Sequence, residues 1–546
     1  MVSRSLGILF LVIVLATASL SPVADAQQPG PSSSPPATAT PSGNGGPRPL
    51  TFDTSISGIA TYGAGSDQGT SFNLPLVRSD STYDTIIHVV NASSAQTPVT
   101  ITLYDQSGAA QTPFNSPPLA GWASLDYDVQ TQFATGFNGS ATVTSSSGPI
   151  VVTGEVLNSA AADNVDSYNE VPGVSTVPSN GVNIAYLPLL PTCSRSWQNC
   201  SEASDTPTLY LHNNSSAQPP VDATVNFYWT NPPSGQPSPT PIATTVSQIP
   251  PNGVSDLVVN SVPGIIATDN NFDAAAKISS AQPLAVAVDE NGNRAGYWAA
   301  APTPSETGST FYVPRFEYGT GWTTGIVMLN VDSKPQTFTV LVYYQNGQLA
   351  LQMQLPNVPS MAIAKFNYAG VNQTLNLPQG FVGSAVVTSP ASAVGWFAKY
   401  NVPAFAGAVY FAPTSPPAGT TVVVPALRKN AVVIGRSPYP TASTGLSIQN
   451  PTASAATYTI SFRKPDGTLV YSENVNFPPH AMWYVSQATD TQLPAGFSGS
   501  AQIVNASGGV LPIVTAEVDG GSYTPPATLP IPRQFQIFVP YLSKPN

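Results

Sequence analysis

FNLPLV, residues 72–77, decides how this chain is read, because the chain repeats it. The same pattern of apolar, any, apolar, proline, any, apolar returns as AYLPLL (185–190), FYVPRF (311–316), VVVPAL (422–427) and IFVPYL (537–542). Proline cannot donate a ladder hydrogen bond, so such a strand belongs at a sheet edge, a bulge or a first position. The spacing predicts a boundary strand that crosses between sheets where one module meets the next. The key residues Pro75, Pro188, Pro314, Pro425 and Pro540 lie 113, 126, 111 and 115 residues apart. That period is too long for a solenoid of small repeats and suits a string of domains of about 110 residues.

Between the prolines the text repeats in order. An alternating run ends in an asparagine turn at TIIHVVNAS (85–93), TLYLHNNSS (208–216), TGIVMLNVDS (324–333) and TGLSIQNPTAS (444–454). A second run closes in QSG (106–108), QNG (345–347) or PDG (465–467), where glycine supplies the positive φ of a tight hairpin. A proline-rich turn follows, then GFNGS (136–140), GFVGS (380–384) or GFSGS (496–500). In that block the aromatic plugs a core, and the second glycine lets the next strand begin against a close neighbour. The second unit diverges. Its block reads NNFDAAAKISS (270–280), and it gains the insertion NPPSGQPSPTP (231–241).

Each unit holds about seven short runs with a period of two, the signature of sheets with one face buried and one wet. Two such sheets bury their apolar faces on each other, giving an immunoglobulin-like β-sandwich. The expected fold is all-β, a tandem array of four such modules after a signal peptide and a disordered linker. A β-propeller is the competitor, but no inner four-strand repeat is visible. The predicted divisions are 1–26 signal peptide, 27–48 linker, 49–184 first module with an N-terminal strand segment, 185–310 second, 311–421 third and 422–546 fourth. Four modules and five proline strands leave one over. The last is expected to fold back and complete the fourth module, the alternative being addition to the sheet edge of a neighbouring molecule.

The start of the chain reads as export. One arginine, an apolar run from Leu6 to Leu15 and the Ala24-Asp25-Ala26 end have the layout of a cleaved leader. QQPGPSSSPPATATPSGNGGPR after it has nothing to bury and reads as a linker. No later run is long and apolar enough for a transmembrane segment in the mature chain. Charged residues make up 8% of the chain, against about a quarter in ordinary domains. With 17 Lys and Arg and a net charge of -11, nucleic acid is not an expected partner. The 42% apolar share, with 22 Tyr, 21 Phe and 7 Trp, is enough to build cores. The two cysteines, Cys193 and Cys200, close a short loop in an exported chain, so a local disulfide is expected.

Candidates for chemistry are few. His88 and His212 sit in matching strand blocks and read as structural side chains on a polar strand face; His480 lies beside a Pro-Pro turn. Glu155, Asp289, Lys399 and Glu517 share one repeat position and read as strand-end charges that reach solvent. Being a module apart, the acids cannot form one hydrolytic pair. Asp163, Asp166 and Glu170, and Asp269 with Asp273, fall in acidic turns. Asp289, Asn291 and Asn293 begin like an oxygen-ligand loop, but Arg294 stands where glycine is needed, so no metal set is assigned. Tyr343, Tyr344, Phe227 to Trp229, Trp298 and Trp396 are the aromatics to consider for stacking on sugars. Asn91, Asn138, Asn199, Asn213, Asn214, Asn372 and Asn505 head N-x-S/T triplets and read as surface turns.

AYLPLL, TIIHVVNAS, LYDQSG, GFVGSAVVTS and the closing IFVPYLSK together resemble the exported surface proteins of Chloroflexota-type bacteria. Modules of that group run from a proline strand through an asparagine strand and a glycine hairpin to a GF-x-GS block. The resemblance covers Phe72 onward. It implies an extracellular or cell-surface structural or adhesive role and carries no catalytic residue across. The expectation is therefore a non-catalytic, secreted structural or adhesive protein of the cell envelope or extracellular matrix. It is expected to need no cofactor, and self-association or a cell-envelope polymer are the partners to look for. The alternative is a polysaccharide- or protein-binding array, for which the divergent second module leaves room.

Overall fold

A computed structural model describes residues 59–519; outside the described residues lie 1–58, 520–546 and internal stretches, the longest being 173–182, 192–205, 230–239 and 433–440. Leu50–Asn546 makes one compact unit, and Met1–Pro49, the other, lies outside the described residues. The described sheets are antiparallel throughout, as an all-β chain requires.

Four proline strands, Ser71–Ser79, Asn183–Pro191, Gly308–Tyr318 and Thr421–Lys429, open their repeats; Val171–Pro172 pairs on the outer edge of the first. Each pairs with the strand grown from its own GF-x-GS block or its divergent counterpart: Phe137–Ser145, Asp273–Ser280, the first part of Phe381–Asn401, and Phe497–Asn505. The hairpin runs Val99–Asp105, Val221–Trp229, Gln336–Tyr344 and Ala456–Arg463 follow on the far side. Register shifts fall at the proline in all four, between Leu74 and Val77, Leu187 and Leu190, Val313 and Phe316, and Val424 and Leu427. The proline thus sits in a bulge, where its missing N–H breaks no ladder. The strand that passes between sheets is a different one, Phe381–Asn401, whose second part belongs to the other sheet of the third repeat.

That other sheet is built on the asparagine strands Tyr83–Asn91, Thr206–Asn213, Thr323–Asn330 and Thr441–Gln449. Each pairs with the acid strand of its repeat: Ile150–Asn158, Leu284–Asn291, the second part of Phe381–Asn401, and Ile513–Asp519. The sheet is completed by a lead strand that runs toward the next proline strand. Asn164–Asn169, Trp298–Ala300 and Ala406–Phe411, which lead into the second, third and fourth proline strands, pair back onto the acid strand before them. The first such lead strand, Ile59–Gly63, has no described repeat before it. It pairs with the last acid strand, Ile59 opposite Asp519 and Gly63 opposite Thr515. The N-terminal segment expected in the first module therefore completes the fourth. It lies beside the lead strands Asn164–Asn169 and Ala406–Phe411, and Trp298–Ala300 lies beside those same two. The repeats form a closed cycle rather than a string. Pro540 and the fifth proline strand lie outside the described residues, and the edge beside Ile513–Asp519 already carries Ile59–Gly63.

Closure explains a burial pattern that strict alternation does not. The asparagine strand Tyr83–Asn91 is buried on both faces past its first residue. Ile87 and Val89 join the core of their own repeat, while Ile86 joins that of the fourth and Val90 packs with Val423. Tyr210 and Ala287 likewise reach into the first core, and Leu329 and Val394 meet Tyr186 and Tyr228. The face predicted to be wet is instead a seam against the preceding repeat.

Hairpin tips fasten the seams. Val254, Met482 and Ser124 donate main-chain hydrogen bonds to the carbonyls of Gln106, Gln345 and Pro465 in the repeat before. A Cβ on Gly108 would lie 1.9 Å from the Pro251 oxygen, and one on Gly347 1.9 Å from that of Pro479. One on Gly467 would lie 2.4 Å from the Gly121 oxygen, across the seam between the fourth repeat and the first. The three receiving turns each hold a non-glycine residue at positive φ, namely Trp122, Asn252 and His480, and Met361 has the same conformation at the matching place of the third repeat. The second glycine of the GF-x-GS block is likewise demanded by a neighbour. A Cβ on Gly139, Gly383 or Gly499 would lie 2.0 Å from a carbonyl of the adjoining strand.

Asn91 and Asn213 are fully buried, so the triplets they head are not surface turns. The Asn91 amide donates to the carbonyls of Ala95, Leu119 and Ala120, and Asn330 and Asn450 do the same work in their repeats. The expected disulfide is corrected. No disulfide is found among the described residues, and Cys193 and Cys200 fall in 192–205, outside them.

Two glycines separate backbone strain from seam contact. Gly347 and Gly380 have φ of +85° and +80°, but only Gly347 has a neighbour within reach of an added Cβ. Gly380→Ala should cost the left-handed penalty of about 1–2 kcal/mol. Gly347→Ala should cost at least ~1 kcal/mol more, since the docked turn must also move. Urea unfolding of the two variants checks this; equal losses would remove the seam from the explanation.

Candidate functional site

Both buried arginines lie in seams. At the seam between the fourth repeat and the first, Arg428, three residues after Pro425 on the proline strand, reaches Glu155 on the acid strand of the first repeat. The contact is bidentate, Nη1 to Oε1 at 2.7 Å and Nη2 to Oε2 at 2.6 Å. Glu155 Oε2 also faces His88 Nε2 at 2.9 Å, and His88 Nδ1 faces Asp126 Oδ1 at 2.7 Å. Arg428, Glu155 and His88 are each about 1% exposed.

With a carboxylate at each ring nitrogen, His88 is placed to donate from both, which only the imidazolium can do. Burial opposes that charge, but Asp126 and Glu155 outweigh it and push the pKa up to about 9. Burial likewise works against the Glu155 carboxylate, yet Arg428 and His88 hold it far below the usual range. Asp126 is held low by His88 in the same way. Two cations and two anions close a neutral network.

The next seam back repeats the principle with other residues. Arg315, directly after Pro314, donates Nη1 to Glu517 Oε2 and Nη2 to Glu317 Oε1, both at 2.7 Å. Its guanidinium lies 3.7 Å from the centre of the Tyr484 ring, and all three charged groups are buried. The first and second repeats meet through Asp256, which accepts from Gln106 and Asn138. Burial raises its pKa, against the pull of those bonds and of Arg78. The second and third meet through an apolar contact of Leu189 with Val327 and Trp396.

Several expectations change here. Glu155 and Glu517 do share one repeat position, but neither reaches solvent; each binds an arginine of the preceding repeat. The side chains of Asp289 and Lys399 lie outside the described residues. His88 and His212 lie on no wet face, for both are about 1% exposed. Nor are they equivalent. Burial pushes His212 down to about 4, with the Asn252 backbone opposing weakly, so it is neutral where His88 is charged. His480 stacks on Tyr343 of the third repeat at 4.7 Å, and Arg463 covers Trp122 at the matching place in the next seam.

The aromatics considered for sugar stacking mostly face inward. Phe227, Tyr228, Tyr343 and Trp396 are buried, and the half-exposed Tyr344 packs on Phe381. Among the described residues no cluster of His, Cys, Asp or Glu is suited to hold a metal. Asp163, Glu170, Asp269 and Asn293, and the side chains of Asp166, Asp273, Asp289, Asn291 and Trp298, lie outside those residues. No helix among them is long and apolar enough to cross a membrane. The arginines were the missed residues. Their signal was position, a cation one or three places after the motif proline in a chain with only 17 Lys and Arg.

No family model and no curated protein matches the chain. Among solved structures, an alpha-L-rhamnosidase of Streptomyces avermitilis complexed with L-rhamnose aligns at 8% identity over 78% of this chain, with a TM-score of 0.13. The chain spans about half of that protein's length, 54%. Likeness at that level carries no argument about fold or activity.

The network gives stability a sign with pH. His88 has a raised folded pKa, so its contribution is complete below the unfolded value and is lost as pH rises through about 9. Glu155 has a lowered one, so its contribution is lost toward acid. Thermal unfolding from neutral to alkaline pH should show a fall that His88→Gln flattens. Glu155→Gln leaves Arg428 buried without its carboxylate and should cost about 3–5 kcal/mol. A loss below ~1 kcal/mol would mean that solvent reaches this seam.

Proposed function

We propose that the chain is a non-catalytic, secreted structural or adhesive protein of the cell envelope or extracellular matrix, built from immunoglobulin-like sandwich repeats. The central strands support that description. The GF-x-GS strand with the hairpin run, and the asparagine strand with Ser124–Asp128, pair as the inner strands of an immunoglobulin sandwich do. The first and last strands of each repeat sit on the opposite sheets from that fold.

The observation that carries the functional reading is where the charges go. In a chain with 17 Lys and Arg, Arg315 and Arg428 are buried in seams with Glu317, Glu517 and Glu155. Such groups, paired with one another and closed to solvent, hold repeats in place. The leader-like start and the polar, charge-poor composition support export. Release or retention outside the cell is part of the same proposal.

The test uses the purified chain from residue 27 on, incubated with cell-envelope fractions and with panels of glycan, peptide and ester substrates. Co-sedimentation with the envelope fraction and no turnover are expected. Hydrolysis of any substrate above that of the Arg428→Met chain would overturn the reading.

A further inference from the structure

One place recurs in the seams, and in two of them it is filled by an apolar plug. Between the fourth repeat and the first, Val90, Ala92, Val151 and Val423 pack with Trp122. Val90 stands just before its strand's asparagine, Val151 is its Cα partner, Val423 precedes the motif proline by two residues, and Trp122 has positive φ. The same places between the second repeat and the third are Leu329, Val394, Tyr186 and Met361, again packed together, with Val331 in the place of Ala92. Between the first repeat and the second they are His212, Asn214, Ala285, Asn73 and Asn252. Polar side chains replace the plug, and the smaller Ala285 replaces a valine. The face is the same one, for Tyr210 and Ala287, two residues from His212 and Ala285, pack into the first core. The first proline strand, which carries Asn73, lies against both of their strands.

These polar side chains do not satisfy one another. His212 is 1% exposed, yet neither ring nitrogen has a hydrogen-bond partner among the described residues. The Asn252 backbone acts on the ring without meeting either nitrogen in hydrogen-bond geometry. Both polar atoms of the Asn214 amide are buried and equally unmet. Asn73 is engaged, its Oδ1 accepting from Thr142 Oγ1 at 2.9 Å. Buried polar groups are ordinarily bonded, so unmet ones point to a group that meets them. Its chemistry follows from theirs. Burial pushes His212 down to about 4, so the ring is neutral, with one N–H donor and one bare acceptor. An amide likewise offers both. No charged side chain stands at these places, and a lone imidazole among amides is a poor metal set. We propose that this seam is a binding site for a neutral hydroxyl, which donates to one of these side chains and accepts from another. Trapped water supplies such a group, and so does a sugar entering past the half-buried Asn214 and Asn252. The inference stands apart from the functional reading, which trapped water would leave unchanged.

The experiment follows the His212 ring by NMR. The chain has only three histidines, so labelling them with nitrogen-15 gives His88, His212 and His480 to compare, with His212 identified by its loss in His212→Gln. At neutral pH both His212 nitrogens should show hydrogen-bonded shifts. A cross-peak from its ring protons to long-lived water assigns the hydroxyl to water. The second arm adds the methyl glycosides of glucose, galactose and N-acetylglucosamine. A saturable shift of His212 alone, with loss of any water cross-peak, assigns the site to a sugar. Asn73→Val with Asn214→Val should abolish either response while His88 and His480 keep their signals, which reports that the fold survives. Should that variant fail to fold, Asn214→Ala takes its place and should weaken the response. Ring nitrogens with unbonded shifts overturn the proposal. So do bonded nitrogens with neither a water cross-peak nor a glycoside response, and so does a response that the asparagine variants leave unchanged.

Discussion

The ladder between Ile59–Gly63 and Ile513–Asp519 is the constraint on which the arrangement depends. Every acid strand has an edge that the strands before it do not cover, and an open edge accepts any strand in reach. Three of those edges are covered by the lead strand that follows. The fourth has no described repeat after it, and the beginning of the unit supplies its strand. Loop-closure entropy grows only slowly with length, so bringing distant ends together costs little more than closing a short loop. Once that strand is seated, the fourth proline strand must face the asparagine strand of the first repeat, and the last seam follows.

Repeats of one design carry a problem of address, since each could dock on the wrong neighbour. The seams differ enough to settle it. Arg428 meets Glu155 and His88, Arg315 lies between Glu317 and Glu517, Asp256 takes two amides, and Leu189 packs on Val327 and Trp396. Val327 stands three residues before its strand's asparagine, as His88 does before Asn91. Arg428 placed against Val327 and Trp396 would lose its carboxylate in an apolar setting, a costly exchange. Buried ion pairs add little net stability over apolar packing, so order is the better account of these. The same chain can therefore be poor in charge and still spend its arginines inside.

The hairpin glycines join these scales. QSG, QNG and PDG need glycine for positive φ, and the turn of the next repeat then closes over the same atom, leaving no room for a Cβ. One residue meets a local rule and a tertiary one. The buried asparagines act similarly, tying the exit of one strand to the proline-rich turn that receives the neighbouring hairpin.

The sequence by itself determined what is local and what repeats. Its two-residue period gave strands, its prolines marked places where a ladder breaks, its glycine blocks marked strand starts, and its spacing showed a repeat. These were legible because each depends on backbone chemistry within a few residues. The tertiary structure alone decided what those units face. Ile86, His88 and Val90 alternate with Ile87 and Val89 as any half-wet strand would, and nothing in that run says a second repeat covers the polar side. Glu155 reads as a strand-end charge until Arg428, far along the chain, is brought to it. Ile59–Gly63 carries no proline signature, and its partner stands at the other end of the unit. A main-chain ladder is indifferent to side-chain identity, so the strand that closes the cycle left no mark for the sequence to show.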